Sequence, residues 1–125
     1  MLRLILGAIL GVVVWFAVAI GVSIAIREAA PPVAAALNAH VVFAALCARL
    51  GISFLASILA GLAAALISRE SARAPLAAGV LLLIWFVPYH LSIWPQFPIW
   101  YHLTFFVSLL LLSLIGGRLA GPRRP

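Results

Sequence analysis

Long uninterrupted apolar runs, separated by short groups of arginine, glutamate and proline, dominate the pattern of this chain. The runs do not show the alternation of apolar and polar residues that is typical of a membrane barrel strand. A helix needs about 20 apolar residues to cross a hydrocarbon core of about 30 Å, and it satisfies its own backbone hydrogen bonds there. The pattern therefore predicts transmembrane helices.

We predict four spans, at about residues 4–26, 50–68, 76–90 and 99–119. The first would be about 34 Å long at 1.5 Å per residue, whereas the apolar part of a secretory signal is typically about 7–15 residues. We therefore interpret it as an uncleaved helix. Pro88 lies near the outer end of the third span, where it should kink or terminate the helix, and continuation of this span to Trp94 stays open.

The stretch between Pro32 and Arg49 is the hardest to place, because it is apolar and directly precedes the second span. An arginine at the bilayer centre costs about 2.5–3.5 kcal/mol, so Arg49 belongs at an interface. We assign residues 33–48 to an extra helical segment in the first outer loop, and their extension of the second span stays open. The predicted fold is an all-α, antiparallel bundle of four transmembrane helices.

Composition supports a membrane protein and excludes a soluble domain. The chain is 67% hydrophobic and 8% charged, with a mean hydropathy of +1.31. That leaves too little polar surface to cover a globule in water. The net charge is +6, but the arginines flank apolar runs and do not line one face with interleaved aromatic residues, so we expect no nucleic-acid partner.

The arginines also predict the orientation. A cytoplasmic amino terminus places six arginines in the cytoplasm and leaves Arg27 and Arg49 outside, as the positive-inside rule requires. The six are Arg3, Arg69, Arg73, Arg118, Arg123 and Arg124. Both termini are then cytoplasmic.

Small residues recur every four positions in two predicted spans, namely Gly7 and Gly11 in the first and Ser53, Ser57, Gly61 and Ala65 in the second. Such stripes let helix backbones approach closely in lipid, where the hydrophobic effect does not drive helices together. We interpret them as helix-packing surfaces.

The turn between the third and fourth spans carries most of the distinctive side chains. Tyr-His-Leu occurs on both sides of it, and His90 and His102 each lie six residues from Gln96, which predicts similar depths on two antiparallel helices. Aromatic residues around the turn predict an interfacial belt. They are Trp85, Tyr89, Trp94, Trp100 and Tyr101.

Two imidazoles at matched depth could bind a haem iron or a transition metal, with His40 as a third ligand. Against this, Glu28 is the only acid expected on that side, and lone Cys47 would have to fold back to the turn. The chain has no His-x-x-His or Cys-x-x-Cys pair. We predict no cofactor and keep as the alternative an electron-transfer membrane subunit that binds haem or a metal through His90 and His102.

An enzyme is not expected, because no serine lies in a Gly-x-Ser-x-Gly motif and no acid pair or phosphate-binding glycine loop is present. Proton-coupled transport would need an acid within a span, and both glutamates lie in loops. An oligomeric channel would be lined by Ser53, Ser57, Thr104 and Ser108. We predict a non-enzymatic protein of the lipid bilayer, an accessory or structural subunit that packs against itself or a larger membrane complex.

Residues 88–120 carry a family resemblance. Their turn, Phe97-Pro98-Ile99-Trp100-Tyr101-His102-Leu103-Thr104-Phe105, is followed by Leu-Ile-Gly-Gly-Arg-Leu-Ala at 114–120. With the proline-rich first loop and the small-residue second span, this resembles small four-span inner-membrane proteins of bacteria that have no assigned activity. The resemblance implies a bacterial cytoplasmic membrane and a four-helix bundle, and it implies no catalytic or binding residue.

Overall fold

The computed structural model describes residues 1–38 and 43–121, and this part of the chain is almost entirely helical. Its elements are α1 (Leu2–Ala29), α2 (Pro31–Leu37), α3 (Phe43–Ser68), α4 (Arg73–Ser92), a 3-10 turn (Trp94–Gln96) and α5 (Ile99–Leu119). The helices α1, α3, α4 and α5 are long and apolar enough to cross a membrane. The predicted all-α fold with four membrane-spanning helices is confirmed.

The four long helices surround a common core in the order α1, α3, α5, α4, and α3 also contacts α4 across the bundle. Gly7 packs on Ser68, and Gly117 packs on Ser71, so the start of α1 and the end of α5 both lie beside the turn at 69–72. We call this the terminal end. The opposite end, which holds α2 and the turn at 93–98, is the hairpin end.

Helix boundaries agree best with the predicted spans where proline marks them. Helix α5 covers Ile99–Leu119, the predicted fourth span, because Pro98 precedes its first residue. Helix α3 instead begins at Phe43, before the predicted start of the second span at residue 50. No proline interrupts residues 43–50, so the helix continues through Arg49, and residues 43–48 of the predicted outer segment belong to α3.

Pro88 does not terminate α4. The helix covers Arg73–Ser92 with Pro88 inside it, and so continues past the predicted end of the third span at residue 90. Proline lacks an N–H group, which removes one hydrogen bond to the preceding turn. The residues on either side of Pro88 keep the helix intact, and α4 delivers His90 to its last turn.

The core changes character along the bundle. Toward the terminal end it consists of small residues, and Ala60, Ala64, Ala74 and Ala78 are fully buried. Toward the hairpin end it consists of rings, with Trp15, Phe97, Tyr101 and Phe105 each at most 7% exposed. Small residues bring backbones close together, whereas rings hold them apart. The helices are therefore closest near the termini.

Candidate functional site

A buried pair of histidines joins α4 to α5 at the hairpin end. His90 lies in the last turn of α4 and is 2% exposed, and His102 lies in the first turn of α5 and is fully buried. Their Nδ1 atoms are 2.7 Å apart, which is hydrogen-bond distance. The spacing on either side of Gln96 thus brings the two imidazoles into direct contact.

The second nitrogen of His102 indicates which ring donates. Nε2 of His102 lies 3.3 Å from the backbone carbonyl oxygen of Trp94, and because a carbonyl only accepts, Nε2 is the donor. In a neutral His102 the Nδ1 atom then accepts, so Nδ1–H of His90 donates. Two fully protonated rings could not make this bond, because neither Nδ1 would have a free lone pair.

Aromatic rings enclose both imidazoles. Trp94 stacks on His102 with ring centroids 4.3 Å apart and an interplanar angle of 9°. Phe105 stacks on His90, also at 4.3 Å, and Phe86 and Phe106 contact the same ring. The pair is thus held in an apolar, low-dielectric setting, where hydrogen bonds are strong and unpaired groups are costly.

The pair as it stands does not have the geometry of a shared metal site. Metal–nitrogen bonds of about 2.0–2.1 Å place two ligand nitrogens more than about 3 Å apart, so the imidazoles would have to separate from their 2.7 Å contact. In the described part of the chain, no group of three or more His, Cys, Asp or Glu is close enough to hold a metal ion. His40, the proposed third ligand, lies outside the described residues, and Cys47 is exposed on α3.

The predicted belt residues fall into two groups. Trp85, Tyr89 and Trp100 are 68%, 52% and 39% exposed, and their rings cover the outside of the bundle near the hairpin end. Trp94 stacks on His102 instead, and Tyr101 is buried with its ring stacked on Phe97. Helix rotation decides between these environments, and composition alone does not reveal it.

The predicted packing residues all lie inside the bundle. Gly7, Gly11, Ser53, Ser57, Gly61 and Ala65 are buried. A β-carbon at Gly7 would come within 2.6 Å of the Ala64 carbonyl oxygen, and one at Gly61 would overlap the Ser113 carbonyl. Gly116 and Gly79, which sequence reasoning missed, make similar contacts to Ile58 and Leu109. These close approaches join neighbouring helices of one chain.

Most of the polar residues proposed to line a channel are buried inside the bundle. Ser53, Ser57 and Ser108 are buried, and Thr104 is exposed. Ser57 Oγ accepts a hydrogen bond of 3.1 Å from Nε1 of Trp15, and Ser108 Oγ donates to the carbonyl of Phe105 at 2.8 Å. Three of the four side chains are thus buried within one bundle, away from the surfaces that copies could share.

A second polar feature, not predicted from the sequence, is a cleft at the hairpin end between α1, α2, α3 and α4. It has a volume of about 530 Å³, and Arg27, Asn38, Arg49 and Tyr89 are among its lining residues. We call it the arginine cleft. The sequence feature that could have indicated this cleft is Arg49, because it lies at a span boundary in a chain with only two acidic side chains.

No protein-family model, curated protein or solved structure matches the chain. The function must therefore be inferred from its own geometry.

Proposed function

We propose that this chain is a non-enzymatic integral membrane protein that acts as an accessory or structural subunit, packing through α1 against copies of itself or a larger membrane complex. Its setting would be a bacterial cytoplasmic membrane, with both termini cytoplasmic. The four apolar helices support the bilayer setting. The arginines near the terminal end, including Arg3, Arg69 and Arg118, support the orientation.

The observation that carries this proposal is the incomplete burial of α1. In its most apolar stretch only 11% of residues are buried, against 33–44% in the other three spanning helices. Its buried residues all lie in the first half of the helix, nearer the terminal end. They are Gly7, Ala8, Gly11 and Trp15. No residue of α1 beyond Trp15 is buried. Half of a spanning helix thus has room for a neighbour.

Exposed apolar surface alone does not drive association in lipid, but shape complementarity does. Ala17, Gly21 and Ala25 follow one another at intervals of four on the uncovered half of α1, and all three are exposed. A β-carbon at Gly21 would meet no atom within 4 Å. Gly7 and Gly11 make the same spacing on the covered half, where α3 packs against them. We infer that the second stripe receives a further helix.

The test compares two glycines that are equally open within one chain. Gly21→Leu should abolish self-association, measured as the mass of the purified protein in detergent, or should release the partner complex from native membranes. Gly51→Leu is the matched control, because Gly51 is also exposed with no atom within 4 Å of a β-carbon. Equal assembly of wild type and both variants would overturn the proposal.

A further inference from the structure

The arginine cleft combines an apolar wall with a cationic rim. The wall includes Trp15, Phe16, Ile20, Ile52 and Phe86, which come from α1, α3 and α4. The cleft lies at the hairpin end of the spanning helices, where its apolar wall adjoins Arg27, Asn38 and Arg49. An occupant would therefore contact hydrocarbon surface along one part and charge along another.

Arg49 is the group in this cleft that most lacks a partner. Its Nη1 atom is buried and makes no hydrogen bond. Its guanidinium lies over the Phe97 ring, 5.3 Å from the centroid, which is a cation–π contact and supplies no negative charge. Leaving a charged donor buried and unpaired is costly, and an anion beside it would reduce that cost.

The chain places no acidic side chain in an ion pair with Arg49 among its described residues. It has two acidic side chains in all. Glu28 lies 3.6 Å from Nε of Arg27, and Glu70 lies 3.7 Å from Nη1 of Arg73 near the terminal end. An anion from outside the polypeptide would supply the counter-charge that neither glutamate gives to Arg49.

Further polar groups line the same cleft. Arg27 lies at its margin with 69% of its side chain exposed, and Asn38 and Tyr89 also face it. The Ser23 hydroxyl is already used, since it donates to the Ala19 carbonyl at 2.7 Å. The Arg49 guanidinium and the Asn38 amide, with Arg27 beside Glu28 at the margin, give the apolar wall a cationic edge that suits an anionic amphiphile.

We propose that the arginine cleft binds one anionic phospholipid, with its phosphate on Arg49 and an acyl chain along the wall. Arginine suits phosphate because its planar guanidinium donates two parallel hydrogen bonds. The apolar wall favours a lipid over a free phosphate ion. On α1 the cleft residues Ala19 and Ser23 lie opposite the stripe at Gly21 and Ala25, at about 100° per residue, and the cleft residues Ile20 and Ile24 lie between these two faces.

The test measures lipid retained by the full chain in native mass spectrometry after delipidation and addition of phosphatidylglycerol or phosphatidylcholine. Wild type should retain one phosphatidylglycerol and bind the zwitterionic lipid at least about tenfold more weakly. Arg49→Gln should reduce phosphatidylglycerol binding by about tenfold or more. Arg118→Gln, an exposed arginine near the terminal end, is the control and should bind as wild type does.

A second variant and a competition experiment complete the test. Ser23→Leu fills the cleft without changing its charge and should also displace the lipid, which separates loss of the site from misfolding of the Arg49 variant. Inorganic phosphate in excess should not displace phosphatidylglycerol. Binding by Arg49→Gln and Ser23→Leu equal to wild type, equal retention of both lipids, or displacement by phosphate alone would each overturn the proposal.

Discussion

The Nδ1 atoms of His90 and His102 lie 2.7 Å apart in a side-chain hydrogen bond that ties the last turn of α4 to the first turn of α5. The six-residue spacing on each side of Gln96 places the two histidines at the same level, and the short turn at 93–98 keeps the two helix ends close together. The bond holds the last turn of α4 against the first turn of α5. The pair therefore has a clear structural role whether or not it has another.

We expect the stability losses of the two single histidine variants to sum to more than the loss of the double variant. His102→Ala leaves the Nδ1–H of His90 and the Trp94 carbonyl without partners, and unpaired buried groups typically cost about 1–3 kcal/mol. In the double variant His90→Ala with His102→Ala, the loss should be smaller than the sum of the single losses by about 0.6–1.7 kcal/mol. Unfolding in mixed micelles measures each value.

The same variants separate the structural role from cofactor binding. The double variant should still insert and fold, and the absorbance of wild type and variant in the haem region should be identical. A chromophore that is stoichiometric in wild type and lost in the double variant would instead establish the haem alternative. Strictly additive losses of stability would contradict the hydrogen bond.

Gly61→Ala should destabilise the bundle by about 1–3 kcal/mol or more, because the added methyl group overlaps the Ser113 carbonyl and neither backbone can move without shifting a helix. Gly51→Ala in the same helix should leave stability unchanged or slightly raised, since its surroundings are open and alanine is the better helix former. Denaturation in mixed micelles compares the two. Equal stability of both variants would show that α3 and α5 are not this close.

Trp15 and Ser57 form a hydrogen bond between α1 and α3, at 3.1 Å between Nε1 and Oγ. A double-mutant cycle with Trp15→Phe and Ser57→Ala should give a coupling energy of about 0.6 kcal/mol, the average for such bonds in membranes. The cycle subtracts the free energy that Trp15→Phe loses through packing alone, so the coupling energy reports the hydrogen bond. A coupling energy of zero would contradict the contact.

The orientation is testable with thiol labels. In a Cys47→Ala background, Gln96→Cys should react with an impermeant reagent from outside intact cells, because Gln96 is exposed in the turn at the hairpin end. Ser71→Cys, exposed at the terminal end, should react only after permeabilisation. The reverse pattern would invert the proposed topology.

Much of this fold could be predicted from apolar length, because the bilayer imposes a nearly constant helix length. Pro98 marked the start of the fourth span, whereas no proline lies between Phe43 and Arg49, and the extension of the second span into residues 33–48 stayed open there. The relative depth of the two histidines could also be predicted, because His90 and His102 are equally far from Gln96 in the sequence. Hydropathy does not fix the rotation of each helix, so it gave neither the Nδ1 contact nor the burial of Tyr101.

Pairwise contacts were harder to predict than elements. The four-residue repeats identified Gly7, Gly11 and Gly61, whereas Gly79 and Gly116 were missed because each packs on a neighbouring backbone without belonging to a recognised repeat. The arginine cleft was missed for another reason. It is formed by parts of four helices, and only their assembly places Arg27 and Arg49 around one space.

The shift from alanine and glycine near the termini to rings near the hairpin predicts a bundle that is narrower at the terminal end than at the hairpin end. Fully buried Ala60, Ala64 and Ala74 fill the narrow part, and Trp15 and Phe105 fill the broad part. Such a shape displaces more lipid from one leaflet than from the other. We expect the protein to concentrate where membrane curvature relieves this imbalance, which fluorescence on vesicles of graded diameter would measure.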